Sequence, residues 1–119
     1  MTASATLAFL GDLMLGRKVS EALSSHPPEW IWGDVLPLLR QADAVLANLE
    51  SPITAHDLPW RKTWKMFHFR ADPGAIEILG SARLRFVALA NNHILDFGAD
   101  GLFDTVRYLE AADILHAGA

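Results

Sequence analysis

Residues 86–98 read FVALANNHILDFG, and this stretch decides most of what can be inferred about the fold. Its first five residues form an apolar run typical of a buried β-strand. The run ends abruptly at Asn91-Asn92-His93, and Asp96 and Gly98 follow. α/β proteins build their binding sites from polar side chains directly after such strands. The stretch therefore predicts a buried strand that leads into a functional turn.

Two other strand-like runs end in the same way. Residues 7–10 lead into Asp12, and residues 45–47 lead into a segment that ends at Glu50. Because the carboxyl ends of parallel strands meet at one edge of a sheet, we expect Asp12, Glu50 and His93 to form one constellation.

Apolar runs alternate with helical patterns along the rest of the chain. The pattern predicts an α/β fold of parallel-rich βαβ units within one domain, residues 1–119. We expect Gly11 to make a tight turn and Asp34 to cap a helix. The expected strands are 6–10, 44–49, 84–90 and 114–117, with a short edge strand at 66–69. The expected helices are 16–24, 35–40, 75–79 and 100–112. A polar loop is expected over 51–65.

Composition excludes several classes of protein. The chain has 119 residues, of which 51% are hydrophobic and 20% charged, as in a small globular domain. Its net charge of −4 argues against nucleic acid as a partner, and the absence of cysteine excludes disulfides and cysteine-bound zinc. No apolar stretch approaches the ~20 residues of a membrane helix, and no signal peptide is visible, so we expect a cytoplasmic chain as written.

Each candidate at the first two strand ends has more than one open interpretation. Asp12 could be an oxygen ligand for a divalent metal or a turn residue before the next helix. Glu50 could be a metal ligand, a general base or a solvated loop residue. Asn48 could position Glu50 or bind the turn backbone.

The turn after residue 90 has the same ambiguity. His93 could bind metal or carry a proton, with Asp96 holding its imidazole, and Asn92 could be a ligand through its amide oxygen. The alternative is an Asx-turn with a capping aspartate. In the loop, Arg61, Lys62 and Lys65 are interpreted as solvated cations rather than an anion-binding edge.

Three stretches together resemble the motifs of the CapA family of capsule and poly-γ-glutamate synthesis proteins. They are GDLMLGR at 11–17, NLESPIT at 48–54 and ANNHILDFG at 90–98, the last followed by Gly101-Leu102 and Thr105. Their order and spacing agree with the family, and the resemblance spans nearly all of the chain.

The family is similar to the calcineurin-like metallophosphoesterases, which have a four-layered αββα sandwich around a dinuclear metal site. The resemblance implies that this chain is the N-terminal portion of such a sandwich. It assigns Asp12, Glu50 and Asn92 as metal ligands. It assigns His93 and Asp96 to catalysis.

The same resemblance implies which residues contact the substrate and shows where this chain differs from the phosphoesterases. Arg17, Asn48 and Asn91 are expected to contact the substrate. Met14 stands where the phosphoesterases usually have a histidine, and the later histidine motifs would lie beyond residue 119. We therefore expect a site for a divalent ion of the Mn, Zn or Fe type that is incomplete here, and a C-terminal half that is missing.

The function implied is a role in capsule or poly-γ-glutamate synthesis or export, acting on a polyanionic or phosphorylated polymer. Two alternatives are a metal-dependent phosphoester or amide hydrolase that needs the missing half, and a non-catalytic polymer-binding or assembly module. Whether the chain is an enzyme is left open. Family members often carry a membrane anchor, and we expect the exposed last strand to favour association.

Overall fold

The computed structural model describes residues 2–119 and is an α/β structure. Its strands are β1 (Leu7–Leu13), β2 (Ala44–Leu49), β3 (Leu84–Ala88) and β4 (Leu115–Ala117). Its helices are α1 (Lys18–Ala22), α2 (Leu36–Gln41), α3 (Ala75–Ser81) and α4 (Gly98–Ala111), with a 3-10 helix over Pro28–Val35. None of the helices in this part of the chain is both long and apolar enough to cross a membrane.

The four strands form one parallel sheet in the order β1-β2-β3-β4. Each connection between neighbouring strands contains helix, as a parallel sheet requires. The prediction of an α/β fold with parallel βαβ units is therefore confirmed.

One face of the sheet carries the core. Along β2, the side chains of Val45, Ala47 and Leu49 are at most 6% exposed, and the residues between them are half-buried. This alternation is that of a strand with one covered face. The core cluster on this side includes the following helix residues: Leu36 and Leu39 of α2, Ile78 and Leu79 of α3, and Leu109 of α4.

The opposite face is open and apolar. Phe9, Leu46, Phe86 and Leu115 stand side by side across the four strands. Phe9 is 73% exposed and Leu115 is 53% exposed. A sheet that forms one inner layer of a four-layered sandwich would present such a face to a second sheet, so the structure is consistent with a partial sandwich.

Two local predictions at β1 and in the loop are wrong. Gly11 makes no turn, because β1 continues to Leu13 and absorbs the extra residue as a register shift between Phe9 and Asp12. Residues 66–69 form no strand. Met66 and Phe67 are exposed while His68 and Phe69 are half-buried, so the burial does not alternate. The Phe69 amide donates to the Asp96 side chain rather than to a neighbouring strand.

Helix boundaries also differ from the prediction. Asp34 caps nothing, because it lies within the 3-10 helix and α2 begins after Val35 without a side-chain cap. Pro28 starts that 3-10 helix, since proline is tolerated in a first helical turn. Helix α4 begins at Gly98, two residues before the predicted start.

Candidate functional site

The carboxyl ends of β1, β2 and β3 are joined by a chain of polar side chains. Asn48 donates from its amide to Asp12 Oδ1 at 2.8 Å, and Asn91 donates to Asn48 Oδ1 at 3.0 Å. Asp12 and Asn48 are register partners in the sheet. The residues linked in this way are Asp12, Asn48 and Asn91, whereas the predicted constellation was Asp12, Glu50 and His93.

Asn91 both shapes the turn after β3 and links it to β2. Its amide also donates to the Leu49 carbonyl at 2.8 Å, and its side-chain oxygen accepts the His93 amide at 3.0 Å. The second bond closes an Asx-turn, which is the alternative to a metal-binding role that the sequence left open for this turn. Asn91, rather than Asn92, is therefore the residue hydrogen-bonded to the β2 end.

His93 and Asp96 form a buried pair. The imidazole Nδ1 lies 2.6 Å from Asp96 Oδ2, and the two residues are 8% and 1% exposed. The predicted contact between them is thus present, whereas their catalytic role stays a prediction. Because Nδ1 is occupied, Nε2 is the ring nitrogen that remains available for chemistry.

The Nε2 side of His93 faces Glu50. The distance from Nε2 to Glu50 Oε1 is 3.9 Å, and the Glu50 side chain is 25% exposed. On its flat side the imidazole stacks on the Phe69 ring, with centroids 4.1 Å apart. A carboxylate and an aromatic ring thus border the nitrogen that would react.

Lys65 belongs to the site, which corrects its interpretation as a solvated loop cation. Its ammonium binds the Asp96 carboxylate and the Asn92 carbonyl, and its side chain is only 22% exposed. Nothing in the local sequence distinguishes it from Arg61 or Lys62, because its partners lie 27 and 31 residues away.

Asn92 points to a different part of the site from Asp12 and Glu50. With Lys65 and Asp96 it lines a cavity of about 270 Å³, whose walls also include Trp60, Ile94 and Leu95. The cavity combines an ammonium and amides with apolar walls, a composition typical of small-ligand sites.

Arg17 shares an aromatic neighbour with His93. Its guanidinium carbon is 4.8 Å from the centre of the Phe69 ring and 5.1 Å from that of Phe67. Phe69 therefore contacts both Arg17 and His93, and it is a site residue that the sequence pattern did not single out.

The NLESPIT motif at residues 48–54 is anchored to α4. Thr105 accepts the Ile53 amide at 2.9 Å, and the Thr54 hydroxyl donates to Asp104 at 2.5 Å. This hydroxyl and the neighbouring Arg107 guanidinium lower the pKa of the Asp104 carboxyl below its usual range. These bonds fix the segment that carries Glu50.

The donor chemistry suits a divalent ion, but the arrangement is incomplete. Asp12 and Glu50 offer carboxylates and His93 an imidazole, which are ligands for such ions. No three His, Asp or Glu side chains within residues 2–119 lie close enough together to hold one. Met14, at the position of the expected histidine, instead accepts the Gly16 amide through its sulfur.

Known proteins provide an independent comparison. The family model described as "Bacterial capsule synthesis protein PGA_cap" matches residues 6–119. The capsule biosynthesis protein CapA of Bacillus anthracis is 32% identical over 115 residues, which cover 96% of this chain and 28% of that protein. The PGA biosynthesis protein CapA of Bacillus subtilis is 29% identical over 113 residues, covering 93% and 30%.

A probable polyglutamine synthesis accessory protein of Mycobacterium tuberculosis is 43% identical over 149 aligned positions, covering 96% of this chain and 38% of that protein. The chain thus spans between 28% and 38% of the length of these curated relatives. Because the family model extends over nearly all of it, the chain belongs to the bacterial capsule synthesis protein family PGA_cap.

Proposed function

We propose that this chain takes part in the synthesis or export of a capsule polymer of the poly-γ-glutamate type. Its membership of the capsule synthesis family and the names of its relatives support this role. The structural observation that carries the proposal is the His93–Asp96 pair beside Glu50, at the edge of the sheet where α/β proteins bind their ligands.

We propose that His93 is an acid–base group. With Nδ1–H donated to Asp96, Nε2 can take a proton from an attacking group or give one to a leaving group. Asp96 would act as a positioning residue, since its carboxylate fixes the ring and stabilises the positive imidazolium. Glu50, on the Nε2 side, is the second carboxylate with which such chemistry would work.

The proposed substrate is a polyanionic or phosphorylated polymer. A chain with a net charge of −4 repels such a polymer, so the site must supply positive charge locally. Lys65 is paired with Asp96, whereas Arg17, which contacts the Phe69 ring, has no acidic partner among residues 2–119 and can supply that charge. We propose that Asn48 and Asn91 contribute hydrogen bonds to the bound polymer.

A divalent ion of the Mn, Zn or Fe type remains a proposal. Asp12 and Glu50 would hold it. The family resemblance implies Asn92 as a third ligand, but Asn92 lines the cavity beside Lys65, away from these two carboxylates. When bound, it would supply positive charge that polarises an oxygen of the substrate. Because few donors converge, we expect this chain to bind the ion weakly.

Calorimetric titration with Mn²⁺ and Zn²⁺ tests the proposed ligands. Asp12→Asn should weaken binding by about tenfold, since a carboxylate ligand is lost. Asp57→Asn, an exposed loop change of the same kind, is the control. Equal affinity in the wild type and in Asp12→Asn would show that Asp12 is not a ligand.

The open sheet face favours an assembly role as the second candidate. Phe9 and Leu115 leave an apolar surface that a second copy could cover, and β4 has one free edge within the described chain. Sedimentation of the wild type and of Leu115→Lys tests this: the wild type should associate and the variant should do so less.

Genetic replacement tests the main proposal. Deleting the gene should lower the amount of capsule polymer, and a His93→Ala copy should fail to restore it. His116→Ala, a histidine change on β4 away from the site, is the matched control. Unchanged polymer in the deletion strain would refute the proposed role.

A further inference from the structure

Arg17 is a cation that is held in place by aromatic rings rather than by an acid. We propose that its guanidinium binds an oxyanion of the substrate beside His93. The proposal rests on the proposed function for the identity of that substrate, and adds the residue that selects it.

The contacts of Arg17 with the two rings leave its N–H donors without an acidic partner among the described residues. A guanidinium that lies over a ring uses its flat face, whereas its five N–H donors point outward in the plane. None of the ion pairs found within residues 2–119 includes Arg17, although Arg40, Arg70 and Arg107 each pair with an acid there. Arg17 therefore keeps donors available for a ligand.

The backbone holds this residue in an unusual conformation. Arg17 has φ 52° and ψ −127°, a combination that residues other than glycine rarely adopt. The preceding Gly16 packs so closely on the Arg70 carbonyl that a Cβ there would overlap it. Residues 16–17 are thus pinned next to Phe69, and the guanidinium is positioned before any ligand binds.

One ring connects this cation to the proposed acid–base group. Phe69 stacks on His93 at 4.1 Å and lies under Arg17 at 4.8 Å. A polymer whose oxyanion is held by Arg17 could extend past the Phe69 ring to His93. Carboxylate and phosphate both accept two parallel N–H bonds from a guanidinium, so either could be the group recognised.

Two probes distinguish these sources. A short γ-linked oligoglutamate presents carboxylates, and phenyl phosphate presents a phosphate; the α-amidated form of the oligomer, which lacks side carboxylates, is the ligand control. Binding to the 119-residue chain is measured by calorimetry. Circular dichroism of every variant verifies that it is folded.

Arg17→Met should weaken binding of the preferred probe by about tenfold, because a charge-assisted pair of hydrogen bonds is lost. Arg17→Lys should lose part of the affinity, since it keeps the charge without the planar fork. The matched control is Lys18→Met, which removes the same charge from a neighbouring side chain that is 94% exposed. It should change the affinity by less than about twofold.

Several results would overturn the proposal: binding of neither probe, equal binding of the oligomer and its amidated form when phenyl phosphate does not bind, or an equal loss in Arg17→Met and Lys18→Met. The probe that loses affinity in Arg17→Met identifies the oxyanion. The proposed function fails separately, in the polymer assay with His93→Ala, because the binding assay requires no turnover. An Arg17-dependent oxyanion site with unaffected polymer production would leave this site standing and remove its assigned role.

Discussion

His93 and Asp96 are joined by a 2.6 Å hydrogen bond between Nδ1 and Oδ2, in a place where Asp96 is only 1% exposed. The same carboxylate accepts the Phe69 amide at 2.7 Å and binds the Lys65 ammonium. The Asp96 carbonyl accepts the Trp60 amide at 2.7 Å. One buried residue therefore orients the imidazole and also holds the loop that covers it.

Asp96→Asn should lower the free energy of unfolding by about 3 kcal/mol. The change removes the charge that compensates a largely buried ammonium and weakens three hydrogen bonds at once. Urea denaturation measures the loss. Asp100→Asn serves as the control, because this acid on α4 has a side chain that is 77% exposed and should cost less than about 0.5 kcal/mol.

A loss below about 1 kcal/mol in Asp96→Asn would contradict this assignment, since it is the value expected for one ordinary hydrogen bond. Such a result would mean that the loop is held by its other contacts, such as the bond from His68 to the Trp60 carbonyl.

The parts of the site that sequence could predict depend on local spacing. An imidazole and a carboxylate three residues apart in a turn can meet, and they do. Apolar runs that end in polar residues predict that the ends of three parallel strands meet at one edge of the sheet, because strands alternate with helices along the chain. The residues that hydrogen-bond there are Asp12, Asn48 and Asn91, whereas the predicted set was Asp12, Glu50 and His93.

The remaining parts depend on long-range packing. Lys65 reaches Asp96 across 31 residues, and no local pattern marks one lysine in a polar loop. The register shift in β1 is another case, since a bulge is defined by the partner strand as much as by its own residues. The sequence pattern of residues 66–69 predicts an edge strand, but a buried carboxylate accepts the Phe69 amide.

Two buried hydroxyls should respond to removal in opposite ways. Ser51 Oγ is buried without a hydrogen-bond partner among the described residues, whereas Thr105 accepts the Ile53 amide and donates to the Gly101 carbonyl at 2.7 Å. Ser51→Ala should therefore stabilise the chain by about 1 kcal/mol, and Thr105→Val should destabilise it by about 2 kcal/mol. Thermal or urea unfolding measures both.

The two substitutions control each other, because both remove a hydroxyl from a fully buried site near the same helix. Destabilisation by Ser51→Ala would show that its hydroxyl has a partner, such as a buried water, and would contradict the prediction.

Asp104 should make stability depend on acidity. The Thr54 hydroxyl and the Arg107 guanidinium lower its pKa, so its charged form is favoured in the folded state. Its contribution is therefore complete above the unfolded value of about 3.9 and is lost as the pH falls through the lowered folded value.

Asp104→Asn should accordingly be less stable than the wild type at about pH 5, and the difference should shrink toward about pH 3. Melting temperatures across this range provide the measurement, with Asp57→Asn in the exposed loop as the control. A constant difference between wild type and Asp104→Asn would show that the effect comes from lost packing rather than from ionisation.

The positive φ of Arg17 leads to a prediction about stability that is independent of any ligand. Arg17→Gly and Arg17→Met both remove the guanidinium and its stacking on Phe67 and Phe69, but only glycine adopts a φ of 52° without strain. Relief of that strain favours the glycine variant, whereas its more flexible unfolded chain opposes it. Since the strain is of order 1–3 kcal/mol and the opposing term is about 1 kcal/mol or less, Arg17→Gly should be the more stable variant by about 1 kcal/mol. Urea unfolding of the pair measures this difference. The pair Lys18→Gly and Lys18→Met, at the first residue of α1, should show the reverse order because glycine weakens a helix. Equal or lower stability of Arg17→Gly would mean that the loop relaxes when the guanidinium is removed, and that the aromatic contacts rather than the backbone hold Arg17 in position.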